Sequence, residues 1–428
     1  MAKLVDNKGV FMEDIIKDLV DRGLLDNFSN KEHVSEMLKT KQTIYCGFDP
    51  SAESLQLGNY VMITILRRLQ KAGHRIIALI GGGTGMIGDP SGKKSERSFL
   101  TAEKVAHNVE CLKKQLSLYL DFSNPDKGIL LNNGDWWSKI PVVEYLREYG
   151  KVFSINYMLG KDVIASRMDT GISYTEFSYM ILQSADFYRL YKEYGCSLQI
   201  GGGDQWGNLT SSLELIRKKE NNANAEVFSV KLITDSEGKK FGKSERGALY
   251  LNPRMCSPYF IYQYFINVSD SDFARYIRIF DDRDLNDIQK DIDQHNECPE
   301  RRLGQKKLAH LIVEQLHSKK VADDCVKMSE ALFKNSFSDL NEEQIMEVAD
   351  GINHFVADTS ELNIIDALVK VGLAKSKREA REFVSNGSVR INGEKITDLE
   401  YMVAKGNGLY GDKFFIRRGK KSYAFLKL

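Results

Sequence analysis

Several features that would place a chain at once in a protein class are missing from this sequence. Its six cysteines are scattered, with no pair at the spacing of a metal site or a redox motif, so we expect a reducing cytoplasm and no metal site. No run of about 18 apolar residues occurs, which argues against a membrane-spanning helix. Residues 1–28 lack the continuous apolar core of a secretion signal. The formal net charge is +1, so no overall charge points to a polyanionic partner.

The sequence does have length and a regular alternation of patterns. With 428 residues it is long enough for about two to three domains. Residues 1–250 alternate short apolar runs with amphipathic stretches, which predicts the α/β class: a Rossmann-like, mostly parallel sheet, with one or two helices in residues 1–40. Residues 251–340 have helical stripes and predict an α-helical domain. The mixed, acidic residues 341–360 predict a linker.

The last part of the chain, residues 361–428, differs in composition. Two helical stripes and a hairpin with the turn Asn392-Gly393 predict a small α+β domain. This part carries 14 lysines and arginines against 8 acidic residues, whereas the rest of the chain has a net charge of −5. Positive charge is therefore segregated at this end, as expected of an RNA-binding domain.

Polar or glycine-rich loops follow predicted strands at three places, in residues 43–59, 81–97 and 201–208. In an open parallel sheet, ligands bind beyond the carboxyl ends of the strands, and helix N-termini there offer unpaired N–H groups to phosphate. The sequence therefore predicts a nucleotide-sized crevice. It is expected to be lined by Tyr45, Asp49, Gln56 and Asn59.

The second loop contains a literal match to the dinucleotide fingerprint, at residues 83–88. Residues 89–92, Asp-Pro-Ser-Gly, cannot form the helix which that fingerprint needs, and this argues against a nicotinamide-dependent dehydrogenase. A Walker loop is excluded because Ile87 stands where that motif has its first glycine. The basic residues within 93–97 remain suited to a polyphosphate, although an exposed basic loop is the simpler alternative.

Two further segments carry polar residues that could bind a ligand. A helix predicted over Thr175–Tyr194 places Tyr179, Gln183 and Asp186 on one face, at spacings of four and three residues. Such a stripe either faces a cleft or is ordinary polar surface. The loop Lys240–Ser244, considered alone, is a cluster of charge next to glycine.

Together these segments resemble the bacterial-type tyrosyl-tRNA synthetases, a family of class I aminoacyl-tRNA synthetases. The resemblance covers the chain from about residue 40 to its end and depends on five motifs in the family's order. The motifs are Tyr45–Asn59, Gly88–Arg97, Thr175–Asp186, Gln199–Asn208 and Lys240–Ser244. The basic C-terminal part resembles a small RNA-binding fold that the family shares with a ribosomal protein.

The resemblance implies a tyrosine–tRNA ligase. Such an enzyme would form tyrosyl-adenylate and pyrophosphate from L-tyrosine and ATP, then transfer tyrosine to the terminal adenosine of tRNA(Tyr). It also implies Mg²⁺ with the ATP, no tightly bound cofactor, a homodimer and no membrane partner.

The resemblance further implies roles for individual residues. The tyrosine-binding set would be Tyr45 and Asp186 at the phenol hydroxyl, Asp89, Tyr179 and Gln183 at the ammonium group, and Gln205 near the carboxyl. The ATP-binding set would be Cys46, Gly47, Asp49, Gln56, Gly58, Asn59, Gly201, Asp204 and Lys243. The catalytic set around the phosphates would be Gln56, Asn59, Lys93, Arg97, Lys240, Lys243 and Ser244.

One motif departs from the family pattern. The first helix of the family begins with His-x-Gly-His, whereas this chain has Gln56-Leu57-Gly58-Asn59. Both amides can donate hydrogen bonds to phosphate, but neither can become cationic. The departure is therefore expected to affect the catalytic rate more than the identity of the substrate. It also supports an alternative, a non-catalytic RNA-binding relative. The intact Lys240–Ser244 loop argues against that alternative.

Overall fold

A computed structural model describes residues 15–92, 99–169, 171–244, 247–419 and 422–428. The described chain forms two compact units. One consists of residues 15–255 and 274–292, and the other of residues 256–273 and 293–428.

The first unit is built on a six-stranded sheet. Its strands are β1 (Leu25–Phe28), β2 (Thr43–Phe48), β3 (Arg75–Ile80), β4 (Gly128–Asn132), β5 (Cys196–Gly202) and β6 (Glu226–Val230). They lie in the order β1-β6-β5-β2-β3-β4, and all neighbours are parallel except β1 and β6. This confirms the mostly parallel sheet. From β2 the chain first adds β3 and β4 on one side and then β5 and β6 on the other, which opens a crevice at the carboxyl ends of β2 and β5.

The central strands are apolar without interruption because helices cover the sheet. In β3 five consecutive residues from Ile76 are buried, and in β5 six consecutive residues from Cys196 are buried. Strands buried on both faces lose the alternation of polar and apolar residues that a half-exposed strand shows.

Among the described residues, ten α-helices and a short hairpin also lie wholly in this unit, together with three 3₁₀ helices of three residues each. The helices are α1 (Ile15–Asp21), α2 (Lys31–Met37), α3 (Leu57–Lys71), α4 (Ala102–Tyr119), α5 (Gly134–Trp137), α6 (Val142–Glu148), α7 (Ile155–Leu159), α8 (Asp162–Ala165), α9 (Tyr174–Tyr194) and α10 (Trp206–Lys219); the hairpin is β7 (Lys243–Ser244) and β8 (Gly247–Ala248). The long helix α9 begins at the N-cap Ser173, whose side chain accepts from the N–H of Glu176, and ends at Gly195 with φ +65°.

The N-terminal stretch differs from the prediction. The sequence predicts one or two helices in residues 1–40, and the described part of that range has two short helices with β1 between them. The four residues of β1, Leu-Asp-Asn-Phe, have too little apolar character to indicate a strand. They form one because β6 offers them a free sheet edge, where Leu25 pairs with Val230 and Phe28 with Phe228.

Helices dominate the chain after residue 257. They are α11 (Pro258–Ile266), α12 (Asp270–Phe280), α13 (Leu285–Glu297), α14 (Leu303–Leu316), α15 (Lys319–Lys334), α16 (Glu342–Asp350), α17 (Ile364–Lys370) and α18 (Lys377–Ser385). The predicted helical region is confirmed, and α12 and α13 each belong partly to both units. Among the described residues, no helix is both long and apolar enough to cross a membrane.

The C-terminal part of the second unit adds two small sheets. Its strands are β9 (Asn353–Val356), β10 (Glu361–Asn363), β11 (Val389–Ile391), β12 (Glu394–Ile396), β13 (Met402–Ala404), β14 (Lys413–Arg418) and β15 (Ser422–Lys427). Five of them form a sheet in the order β12-β11-β14-β15-β9, and β10 pairs with β13. The predicted hairpin is present as β11 and β12, and its turn residues Asn392 and Gly393 have φ of +47° and +100°, as a tight hairpin turn requires.

Residues 341–360, predicted as a linker, contain regular structure. The helix α16 has an N-terminal capping box between Asn341 and Gln344, and its Glu347 Oε1 accepts from the N–H of Tyr259 at 3.1 Å. The strand β9 then pairs in parallel with β15. The acidic, mixed composition of this stretch did not indicate its helix and its edge strand. The domain boundaries stay a prediction.

Candidate active site

A cleft of about 440 Å³ opens in the first unit, beyond the carboxyl ends of β2 and β5. Residues from all five sequence motifs line it, although the motifs span about half of the chain. The predicted site residues found there are Tyr45, Cys46, Gly47, Asp49, Gln56, Gly58, Asn59, Asp89, Tyr179, Gln183, Asp186, Gly201, Asp204, Gln205, Lys240 and Lys243. Ser244 is not among the lining residues, and its hydroxyl donates to the carbonyl of Gly247 at 3.2 Å. Lys93 and Arg97 lie outside the described residues.

Asp186, on α9, is a buried carboxylate held by three hydrogen-bond donors. Its Oδ2 accepts from Asn133 Nδ2 at 2.8 Å. Its Oδ1 accepts from the indole N–H groups of Trp136 at 2.8 Å and Trp137 at 2.7 Å. The Asp186 side chain is thus fixed before any ligand arrives, and so can act as a preformed acceptor.

The electrostatics of this end of the cleft are set by burial. Burial raises the pKa of Asp186 to about 7, against the opposing effect of its three donors. Tyr45 projects from β2 and is only 2% exposed, and burial and the nearby Asp186 raise the pKa of its hydroxyl well above the ordinary value. Tyr45 therefore keeps its proton and remains able both to donate and to accept.

A chain of hydrogen bonds connects Asp186 with the adjoining part of the cleft. Asn133 Nδ2 also donates to Thr84 Oγ1 at 3.0 Å, and that hydroxyl donates to Asp49 Oδ1 at 3.2 Å. Asp49 Oδ2 in turn accepts from the hydroxyl of Tyr179 at 3.0 Å. Because Tyr179 donates its proton to Asp49, its oxygen presents lone pairs to the cleft as an acceptor.

Asp89 and Gln183 are further acceptors that line the cleft. The Asp89 carboxylate accepts from Gln205 Nε2 at 2.6 Å and from the N–H of Ser91 at 3.0 Å. Gln183, one turn before Asp186 on α9, has a buried Oε1 with no hydrogen-bond partner. A buried acceptor without a donor is costly, and a ligand with N–H groups would satisfy it. Asp89, Tyr179 and Gln183 therefore form an acceptor set suited to an ammonium group.

The N-terminus of α3 also lines the cleft. Asn59 Oδ1 accepts from the N–H of Gln56 at 2.9 Å, so the side chain of Asn59 caps the helix. Because Oδ1 of Asn59 is engaged in this bond, its Nδ2 group is the part of the amide that can donate to an anion. Gly58, between Gln56 and Asn59 in the sequence, has no side chain to cover the N–H groups at the helix N-terminus, and such N–H groups attract phosphate.

The loop Lys240–Ser244, called the lysine loop, is held against α3 by a buried phenylalanine. Phe241 is buried, with ring centroids 4.9 Å from Tyr276 and 5.6 Å from Phe280. At Gly242, φ is +75° and a Cβ atom would lie 3.0 Å from the Cβ of Leu57, so glycine is needed there. The exposed side chain of Lys243 follows directly beside the start of α3.

Sequence reasoning missed the residues that hold Asp186. Asn133, Trp136 and Trp137 come from the turn after β4 and from α5, which had no assigned motif. A signal was present, since a polar pair at residues 132–133 ends a parallel strand at the edge where ligands bind. Nothing in the local sequence marks the two tryptophans as donors in the site, because the acceptor of an indole N–H is known only once the fold is known.

Comparison with known proteins gives a consistent result over both units. A family model described as tRNA synthetases class I (W and Y) matches residues 37–334, and one described as the tyrosine–tRNA ligase SYY-like C-terminal domain matches residues 344–426. The chain is 44% identical over 415 residues to tyrosine–tRNA ligase 1 of Bacillus cereus, with 96% of this chain and 99% of the relative covered. It is 42% identical to tyrosine–tRNA ligase of Staphylococcus carnosus, with 97% and 99% covered.

Solved structures agree. A C-terminally truncated mitochondrial tyrosyl-tRNA synthetase of Aspergillus nidulans superimposes with a TM-score of 0.67 at 27% identity, covering 76% of this chain and 97% of that one.

Proposed function

The chain belongs to the tyrosine–tRNA ligases of the class I synthetase family, and we propose that it binds tyrosine and ATP in the cleft between α3, α9 and the lysine loop. Its reaction joins tyrosine to tRNA at the expense of ATP. The observation that carries the site assignment is the pairing of a fixed, buried carboxylate at Asp186 with the separate acceptor set of Asp89, Tyr179 and Gln183. Tyrosine has a donor at each end, a phenol hydroxyl and an ammonium group, and the two acceptor sets match them.

The first step needs little more than positioning and charge stabilisation. The carboxylate of tyrosine is already ionised at neutral pH and attacks the α-phosphate of ATP, so a C–O–P linkage forms as the bond to pyrophosphate breaks. No proton has to move, and no general base is required. The amides of Gln56 and Asn59 and the ammonium groups of Lys240 and Lys243 can stabilise charge on the phosphates.

In the second step a ribose hydroxyl of the terminal adenosine of tRNA attacks the tyrosyl carbonyl; an ester bond forms, the bond to the phosphate of AMP breaks, and the leaving phosphate can take up the hydroxyl proton. The basic C-terminal part of the second unit would hold the tRNA, since contacts to phosphate position a nucleic acid without reading its sequence. We also propose a cytoplasmic location, because the charged tRNA is used there.

Mg²⁺ is expected to arrive with the ATP. The described residues contain no group of three carboxylate, imidazole or thiol side chains that could hold a metal ion by themselves. Phosphate oxygens and waters would therefore supply most of its ligands, with Asp49 or Asp204 able to accept hydrogen bonds from those waters. When bound, the ion would neutralise part of the phosphate charge.

A homodimer is the assembly we propose. The helix α6 buries none of its seven residues, and the side chains of Val142, Val143 and Leu146 on it are exposed, as is Ile155 at the start of α7. An exposed apolar group of this kind usually marks a protein interface, and a second copy of the chain is the partner that the family resemblance implies.

The central test of the function is tyrosine-dependent exchange between ATP and pyrophosphate. A catalytic ligase gives exchange that depends on tyrosine, whereas a non-catalytic RNA-binding relative gives none. NADH titration followed by fluorescence addresses the dehydrogenase alternative, for which no binding is expected.

Replacing Asp186 with asparagine should reduce the preference for tyrosine over phenylalanine by about tenfold to a hundredfold, because a charged acceptor for the phenol hydroxyl is lost. The measurement is the ratio of kcat/KM values for exchange with the two amino acids. Asp204→Asn, which changes another carboxylate of the same cleft, is the matched control and should leave the ratio unchanged. An unchanged ratio in Asp186→Asn would remove Asp186 from substrate selection.

Replacing Asn59 with histidine should leave exchange activity within about tenfold of the parent. A histidine at this N-cap-proximal position can accept from the N–H of Gln56 through one ring nitrogen and present the other to phosphate, as the amide does now. Exchange rates with saturating tyrosine and varied ATP measure the effect. Complete loss of activity in a folded variant would show that the amide geometry, and not donation alone, is required.

A further inference from the structure

The hydrogen bonds of Asp186 leave room for only one more. A carboxylate offers about four acceptor positions, two on each oxygen. Oδ1 already accepts from Trp136 and Trp137, and Oδ2 accepts from Asn133. The single position that remains is therefore on Oδ2, on a side chain that lines the cleft.

Trp137 reaches Asp186 because the surrounding residues hold its ring in place. Its ring packs edge to face against Tyr145 and Tyr149, with centroids 6.0 and 6.1 Å away. A Cβ atom at Gly83 would lie 2.9 Å from the Trp137 side chain, so the glycine-rich stretch Gly81–Gly85, called the glycine loop, has to lack a side chain at this position. Trp137 thus connects α5 with the glycine loop and with Asp186.

We propose that Trp137 is a positioning residue for substrate choice, whose indole N–H occupies the second acceptor position of Asp186 Oδ1 and so directs the phenol hydroxyl of tyrosine to Oδ2. This inference rests on the proposed function. Without this donor, Oδ1 would gain an open acceptor position and the carboxylate could rotate or take up a proton. Either change weakens the discrimination between a ligand with a hydroxyl and one without it.

Among the described residues, charged and titratable groups approach Asp186 from three other parts of the first unit. Tyr45 and Asp49 approach from β2 and the loop after it, and Tyr149 lies at the end of α6. The guanidinium of Arg189 lies 5.1 Å from the ring centroid of Trp136. Burial and Asp49 both favour the protonated form of Asp186, and the three neutral donors oppose them and hold its pKa down to about 7. Removal of one of these donors should raise its pKa from about 7, toward more alkaline values.

The test is the pH dependence of the tyrosine-to-phenylalanine preference in Trp137→Phe, which keeps an aromatic ring but has no N–H. In the parent, the preference should fall as pH drops through the pKa of Asp186. In Trp137→Phe the midpoint should move up by about one pH unit, and the preference at pH 7 should fall by about fivefold, because the ionised fraction of Asp186 drops from about one half to about one eleventh. Exchange with saturating phenylalanine should change little. Trp206→Phe, at the third tryptophan of the chain, is the control and should keep the parent profile.

A double-mutant cycle separates this role from a general structural one. If Trp137 acts through Asp186, adding Trp137→Phe to Asp186→Asn should cause no further loss of preference. A midpoint that does not move in folded Trp137→Phe overturns the proposal. If neither Trp137→Phe nor Trp137→Leu folds, Trp137 is a structural residue and the proposal is likewise overturned. Absence of tyrosine-dependent exchange in the parent would instead refute the proposed function.

Discussion

Replacing Lys243 with alanine is expected to lower the turnover of tyrosyl-adenylate formation by about 10²- to 10³-fold while tyrosine binding changes little. Lys243 is exposed and follows a loop that is anchored by Phe241 and turned at Gly242. Its cationic end can therefore move to the phosphates as negative charge shifts onto the leaving pyrophosphate. An interaction that strengthens only in the transition state affects turnover and not ground-state binding.

Lys239→Ala is the matched control for this experiment. Lys239 immediately precedes this loop, but its ammonium group pairs with Glu237 at 2.7 Å, and the residue does not line the cleft. Pre-steady-state adenylate formation and equilibrium binding of tyrosine should be measured for both variants. Equal turnover in Lys243→Ala and Lys239→Ala would exclude the lysine loop from the chemical step.

The parallel strands could be predicted from the sequence because burial on both faces leaves an uninterrupted apolar run. Two of the short apolar runs in residues 1–250, Arg75–Ile80 and Gly128–Asn132, are the strands β3 and β4. The position of the cleft could also be predicted, because polar loops that follow parallel strands meet at one edge of the sheet.

Other features depend on contacts between distant segments, which local patterns do not contain. The edge strand β1 exists only because β6 offers it unpaired backbone groups. The fixed orientation of Asp186 depends on Trp136 and Trp137, about 50 residues earlier in the chain. The spacing of Tyr179, Gln183 and Asp186 could place them on one helix face, but only the fold shows which donors each one meets.

Removal of the basic C-terminal part should leave tyrosine-dependent exchange nearly unchanged and lower the charging of tRNA by about 10²-fold or more. The residues of the candidate site all come from the first unit, whereas the surplus of positive charge lies in residues 361–428. Because β9 pairs with β15, a cut after Asp358 would leave a strand without its sheet, so the cut is better placed after Ile352. This cut retains α16, whose Glu347 accepts from the N–H of Tyr259.

The cut also uncovers Phe337, which stacks on Phe415 with ring centroids 4.3 Å apart, so the truncated protein should carry Phe337→Ser to limit aggregation. Full-length Phe337→Ser is the matched control, and circular dichroism reports whether each variant folds. tRNA binding by the truncated protein should also depend less steeply on salt, because fewer counterions are released when phosphate contacts are lost. Charging equal to that of the full chain would show that the RNA-binding surface lies elsewhere. Loss of exchange in a folded truncated protein would mean instead that the C-terminal part supports the active site, and the division between a catalytic unit and a tRNA-binding end would have to be abandoned.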